Sequence, residues 1–211
     1  MVDYNRLVAM VRAAAAQVRA NQELLSKLDS HGGDGDHGTT MARAMNCMEK
    51  AVEDDQSSSL QELLRSIGWA VMGVDGGATG PLFGTFFMSM ADAAAGKDAL
   101  DANGLAAAFA AGLAGVQKRT RAQVGDKTML DALVPAVDAA QAAADAGGSV
   151  KDMLRSASEA ARDGAERTKS LQARFGRAKN IGEKSIGQPD AGASSVSLIF
   201  QGFLEGVTTH A

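Results

Sequence analysis

The chain lacks most of the features that would fix a fold by staple, sheet or membrane. It has a single cysteine, Cys47, among 211 residues. No internal disulfide framework can form, and a lone thiol suits a reducing compartment. Only 4% of the residues are aromatic, while alanine is abundant, a balance that favours closely packed helices over sheets. No stretch sustains the period-2 alternation of a half-buried strand. The charge-free run Gly76 to Ala91, which no other exceeds in length, is broken by glycine and too short to span a bilayer. The amino terminus carries Asp3, Arg6 and Arg12 in place of an apolar signal core. A cytoplasmic protein without membrane contact is expected. The net charge of −4 argues against nucleic acid as the main partner. No repeat and no Pro/Ser-rich linker divides the chain, so residues 1–211 are expected to form one domain.

What is present is helical periodicity. Leu7, Val11, Ala14, Val18, Leu25 and Leu28 mark one face of a helix from Tyr4 to Leu28. A second helix is expected to begin near Thr39, with Met41, Met45, Met48 and Val52 inward. Ser59 and Glu62 have capping-box spacing ahead of a third, which carries Leu60 to Val71. On it, Trp69 is expected in a core or interface. Pro81 suits the first position of a fourth helix, Leu82 to Ala95. A fifth is expected over Leu105 to Lys118 and a sixth over Thr128 to Ala146, kinked by Pro135. A seventh starts at Ser149 and fades near Leu171, and Val196 to Val207 forms the last. The predicted fold is all-α, with eight helices and no sheet. The frequent methionines read as core filler, and His210 falls at the frayed carboxy terminus.

The most informative stretch runs from Asp29 to Thr40. Three carboxylates and four glycines fall between Asp29 and Gly38. Glycine frees the backbone for tight turns, and Asp29, Asp34 and Asp36 would repel one another around an empty centre. Oxygen ligands without thiolates favour Mg²⁺, Mn²⁺ or Ca²⁺ over zinc. The alternating acids and terminal Glu of an EF-hand are missing, so a calcium switch is excluded. Mg²⁺ is commonly completed by substrate phosphates, which points to a nucleotide. His31 and His37 lack the partners of a tetrahedral zinc site, and no Ser-His-Asp arrangement is legible.

Two further stretches fit a phosphate ligand. Asp75-Gly-Gly-Ala-Thr-Gly-Pro81 is a Gly-rich turn opening a helix, whose free N–H groups and positive dipole end suit an anion. It has no Walker A lysine and follows no strand, so it is not a P-loop. From Arg167 to Lys184 there are six basic residues against one acid, Glu183. Long loops of this kind are often functional.

Together these blocks resemble the nucleotide-binding L subunit, or carboxy-terminal domain, of dihydroxyacetone kinases. The resemblance runs through Asp29, Gly33 to Gly38, Gly76 to Phe87 and Gly125 to Asp131. It continues through Gln172 to Arg174, Gly176 to Ala178, Gly182 to Gly187 and Asp190 to Ser195. It implies an eight-helix antiparallel barrel with a nucleotide–Mg²⁺ pocket at one end. Asp29, Asp34 and Asp36 would hold two Mg²⁺ ions against the phosphates of ADP or ATP and would form the catalytic centre. His37, Gly38, Thr39 and Thr40 would line the nucleotide, and Ala78 and Thr79 would donate to phosphate. Met129 would pack near the base, Arg177 would contact the nucleotide, and Asp190, Ala191 and Gly192 would close the pocket. Many relatives carry Asn where this chain has Thr40, which retains a hydroxyl and loses the carboxamide.

The resemblance also implies a separate K-type subunit that binds the ketose, and no general base for a substrate hydroxyl is evident here. A homodimer is the expected assembly. The ketose, triose or tetrulose, stays open, as do two modes of recharging. ATP is an exchanging substrate in one; in the other, tightly held ADP is rephosphorylated in place by a phosphohistidine carrier protein. The alternative function is a non-catalytic Mg²⁺–nucleotide-binding regulatory module.

Overall fold

The computed structural model describes residues 1–209 and is almost entirely helical; His210 lies outside the described residues. The first expected helix is broken by one residue, into α1 (Tyr4–Ala20) and α2 (Gln22–Ser30). The break is Asn21, whose side-chain amide donates to the Gln17 carbonyl at 2.9 Å. Then follow α3 (His37–Asp54), α4 (Leu60–Met72), α5 (Thr79–Ala93), α6 (Ala102–Arg119), α7 (Leu130–Asp145), α8 (Val150–Arg167) and α9 (Ala191–Thr209). If α1 and α2 are counted as one rod, eight rods remain. Each packs on the next, and α9 closes on α1, so the bundle is a closed barrel.

Several boundaries differ from expectation for local reasons. α3 begins two residues early, at His37, because Asp36 already carries the first helical carbonyl bond to the Thr40 amide, at 2.9 Å. α5 begins at Thr79, which puts Pro81 at its third position, where a missing N–H is still harmless. α9 begins at Ala191 because Asp190 caps it, its Oδ2 accepting from the Ala193 amide at 2.7 Å. The expected absence of sheet fails by one short antiparallel pair, β1 (Val2–Asp3) with β2 (Ala99–Leu100). A two-residue ladder leaves no alternation to read. Pro135 lies inside α7, which runs on to Asp145.

The core is aliphatic and methionine-rich, with an aromatic centre. Phe109 stacks on Phe86 and Phe203, with centroids 6.3 and 5.9 Å apart. Small residues bring the rods close. A Cβ on Gly202 would lie 2.3 Å from the Ala14 backbone, and one on Gly206 would lie 2.5 Å from Met10. Of the two positions expected for Trp69, core or interface, the core is excluded. The residue is 62% exposed on α4, because its neighbours Gly68 and Val71 face inward instead. Antiparallel succession gathers the 31–36, 73–78, 120–129 and 168–190 connections at one end of the barrel. The amino terminus and the 55–59, 94–101 and 146–149 connections lie at the other.

Candidate functional site

All four connections at the first end line one cavity of about 330 Å³. Its acidic wall comes from the turn between α2 and α3. Asp29 is the last acid of α2, and its carbonyl accepts from the amides of Gly32 and Gly33, at 3.1 and 2.6 Å. A side chain at Gly33 would collide with the Asp29 carboxylate, 2.4 Å from the Cβ position. So folded, the turn brings carboxylate oxygens of Asp29, Asp34 and Asp36 within 4.8 Å of one another. Asp34 is ion-paired with Arg177, reaching across from the basic connection.

His37 follows the triad at the start of α3. Its ring is largely buried, which pushes its pKa below the ordinary histidine value against the opposing pull of Asp29 and the Ala191 carbonyl. Nε2 lies 2.8 Å from the Ser195 hydroxyl. Asp29, His37 and Ser195 thus meet in space although no such arrangement was legible in sequence. Ser195 is fully buried and lies outside the cavity lining, so it orients the ring and attacks nothing.

The remaining expected residues of this turn do not reach the cavity. Gly38, Thr39 and Thr40 are absent from its lining. Gly38 presses on α2, where a Cβ would sit 2.0 Å from the Gln22 carbonyl. Thr40 is buried, and its Oγ1 accepts from Arg43 Nη2 at 3.1 Å. The same Arg43 nitrogen donates to the Asp75 carbonyl at 3.1 Å. Gly76 packs directly over Thr40, with its Cβ position 2.5 Å from Oγ1. The Thr40 hydroxyl therefore supports the neighbouring turn, and no carboxamide is needed for that.

That turn forms the second wall. Gly76 and Gly77 adopt φ of 135° and 56°, which side chains rarely tolerate. α5 then starts at Ala78 with no side-chain cap. Pro81 has no N–H, so the Thr79 and Gly80 amides are the open donors of the first turn. Ala78 and Thr79 both line the cavity.

The third wall is the turn before α7. Asp131, buried, takes the Gly125 amide on Oδ1 at 2.6 Å and the Thr128 amide on Oδ2 at 2.7 Å. Between them Lys127 is held at φ 61°. Its side chain is 5% exposed, and Nζ donates to the Thr168 and Gln188 carbonyls at 2.5 and 2.6 Å. Burial lowers its pKa, and Asp190 and Asp131 oppose that shift. Lys127 thereby pins both ends of the 168–190 connection. The Thr168 hydroxyl completes the neck by accepting from the Asp190 amide at 2.8 Å. Met129, Leu130, Leu82, Phe83 and Phe175 make the apolar part of the cavity.

The fourth wall is the connection itself, with a 3-10 segment over Arg177–Ser185 interrupted at Gly182. It lies on the acidic turn: Ala178 meets Gly32, and His31 Nε2 lies 2.7 Å from the Lys184 carbonyl. Arg177, Asp190, Ala191 and Gly192 line the cavity. Burial pushes the Asp190 carboxyl up to about 6, against the Ala193 amide and Lys127. Sequence reasoning missed Lys127, Arg43, Ser195 and Phe175. Lys127 stood inside a recognised block, and its φ above zero and distant partners left no local signal.

The DAK2 domain family model matches residues 31–205. The chain is 38% identical over 189 residues to the ADP-binding subunit DhaL of PEP-dependent dihydroxyacetone kinase 1 from Listeria innocua, covering 90% of this chain and 89% of that one. It is 38% identical over 179 residues to the ADP-binding DhaL subunit from Escherichia coli, covering 85% of each. The dihydroxyacetone kinase of C. freundii, solved in complex with AMP-PNP and Mg²⁺, superposes with a TM-score of 0.74 at 29% identity. That match covers 95% of this chain and 34% of the solved one, so the chain spans about a third of that kinase's length.

Proposed function

Because the chain belongs to the DAK2 domain family, we propose that it is the nucleotide-binding subunit of a two-component kinase. It binds Mg²⁺ with ADP or ATP and passes a phosphoryl group to dihydroxyacetone or a related short ketose on a K-type partner. The whole chain acts as one domain. A cytoplasmic setting fits, in that no helix among the described residues is long and apolar enough to cross a membrane.

The observation that carries this reading is the meeting of three carboxylates with a bare, Gly-led helix start across one cavity. Its donor set fits Mg²⁺: oxygen ligands only, two of the three acids exposed, and room beside them for phosphate. Asp29, Asp34 and Asp36 hold the metal, whose chemistry is to neutralise phosphate charge and align the transferred group. Ala78 and Thr79, which line the cavity, offer backbone and hydroxyl donors to phosphate oxygens. Met129, Phe83 and Phe175 enclose the base, and Arg177 with Asp190 to Gly192 covers it. His37, oriented by Ser195, packs beside Asp29 and excludes water. Gly38 and Thr40 act from behind, through α2 and Gly76.

Kinase assays with candidate K subunits, across trioses and tetruloses, test the proposal. Turnover should need both chains and Mg²⁺. Tight Mg²⁺–nucleotide binding with no turnover for any pair would leave the regulatory module instead. Assaying ADP after dialysis distinguishes a retained, carrier-recharged nucleotide from an exchanging one, and sedimentation tests the expected homodimer.

A further inference from the structure

We infer that Arg177 is the resident counter-ion of the acidic site, giving up Asp34 to an incoming divalent cation and turning to the nucleotide instead. The role given to nucleotide rests on the function proposed above. The pairing of Arg177 with Asp34 does not, since it is a contact within the chain itself.

One carboxylate is claimed by two partners. Asp34 contributes to the cluster whose oxygens approach within 4.8 Å, and the same carboxylate is engaged by the guanidinium. Among the described residues, no other lysine or arginine is ion-paired with Asp29, Asp34 or Asp36. Arg177 relieves repulsion between three gathered acids. A divalent cation in their midst would be repelled by it, so the two positive groups compete.

The geometry allows the exchange at little cost. The side chains of Arg177 and Asp34 are 58% and 46% exposed, and pairs so wetted are easily parted. Arg177 opens the 3-10 segment directly after Gly176, at φ 66°, and Gly182 interrupts the segment at φ 58°. The neck of the connection stays closed, because Lys127 holds the Thr168 and Gln188 carbonyls from below. The arm can therefore move while its base does not. Arg177 already lines the cavity with Ala78 and Thr79, where a phosphate would offer its guanidinium a bidentate anion in place of the carboxylate. Cation and nucleotide then help one another to bind. Nucleotide draws Arg177 from Asp34, and by reciprocity the cation releases Arg177 for nucleotide.

The test uses Mn²⁺ as probe, titrated at low ionic strength into the full chain, first without and then with ADP. Arg177→Gln should bind bare Mn²⁺ about three- to tenfold more tightly than the parent, while ADP dissociates faster and the coupling between the two ligands shrinks. Arg177→Lys keeps the competing charge and should stay within about twofold of the parent for bare Mn²⁺. In the parent chain, Mg²⁺ alone should shift the Arg177 Nε–H resonance toward that of Asp34→Asn. Unchanged or weaker Mn²⁺ binding in Arg177→Gln, or an unmoved resonance, would overturn the exchange. If the parent chain binds no ADP at all, the proposed function fails, while the bare-Mn²⁺ comparison still decides whether Arg177 guards the acids.

Discussion

At the end of the barrel away from the cavity, every helix that begins there is closed by a side chain. Asp3 accepts from the Arg6 amide, Ser59 from Glu62, Asp101 from Gly104 and Ser149 from Asp152. At the cavity end, α3 and α5 begin with no side-chain cap. α7 also begins uncapped, Asp131 binding the turn before it, and only α9 is capped, by Asp190; both acids are set against the buried Lys127. Capping satisfies helix amides within the chain and stabilises the fold. Amides left open keep their donors for an anion. The far end is built for stability, whereas the near end gives up part of it at the starts of its helices.

The largest test of that contrast is at the acids. Asp34→Asn and Asp36→Asn should weaken Mg·ADP binding by roughly two orders of magnitude, measured calorimetrically, with helicity and the unliganded melting curve nearly unchanged. In the parent chain, ligand at about a hundred times its dissociation constant adds about 2.7 kcal/mol. At 2–4 °C per kcal/mol that is a melting shift of about 5–11 °C, reversed by chelator. No shift in the parent would end the contrast.

Next in size is the neck. Lys127→Met leaves the Thr168 and Gln188 carbonyls without their donor, a loss of about 1–3 kcal/mol for buried polar groups. Urea titration should show the loss, and nucleotide should leave faster because the cover is no longer pinned. At the far end, Ser149→Ala removes half of a capping box and should cost about 1 kcal/mol. Its Mg·ADP affinity should equal the parent's. Were nucleotide binding to fall with it, the two ends would not be independent.

The remaining effect is a pH slope. The Asp190 carboxyl is raised to about 6 in the folded chain from an ordinary 3.8. Between those values the native state keeps a proton that the unfolded chain has released. Stability should therefore fall as pH rises from about 4 to 6, and the Asp190 contribution should be level above that. Asp190→Asn keeps an acceptor for the Ala193 amide and should remove this part of the slope, as read from urea midpoints across the window.

Much of the frame was legible because its signals are local. The period of Met41, Met45 and Met48 marks α3 whatever surrounds it, and Ser149 with Asp152 caps α8 from within one turn. The unread parts depend on distant partners. Trp69 fits a core helix by composition, yet the face it occupies is decided by where Gly68 lets α5 approach. Lys127 looks like a surface cation, and only residues 41 and 61 positions away make it a buried clamp.

The residues alone determined an all-helical chain, an acidic Gly-rich turn suited to a hard cation and a bare helix start suited to phosphate. Composition, periodicity and turn chemistry act over a few residues and need no knowledge of the fold. Tertiary structure decided which of these meet. Antiparallel closure of the barrel carried four connections to one end and set Thr40 beneath Gly76 and Ser195 against His37. It also laid Arg177 on Asp34, across 143 positions of sequence. Such contacts arise from the packing of whole rods, and no local pattern encodes them.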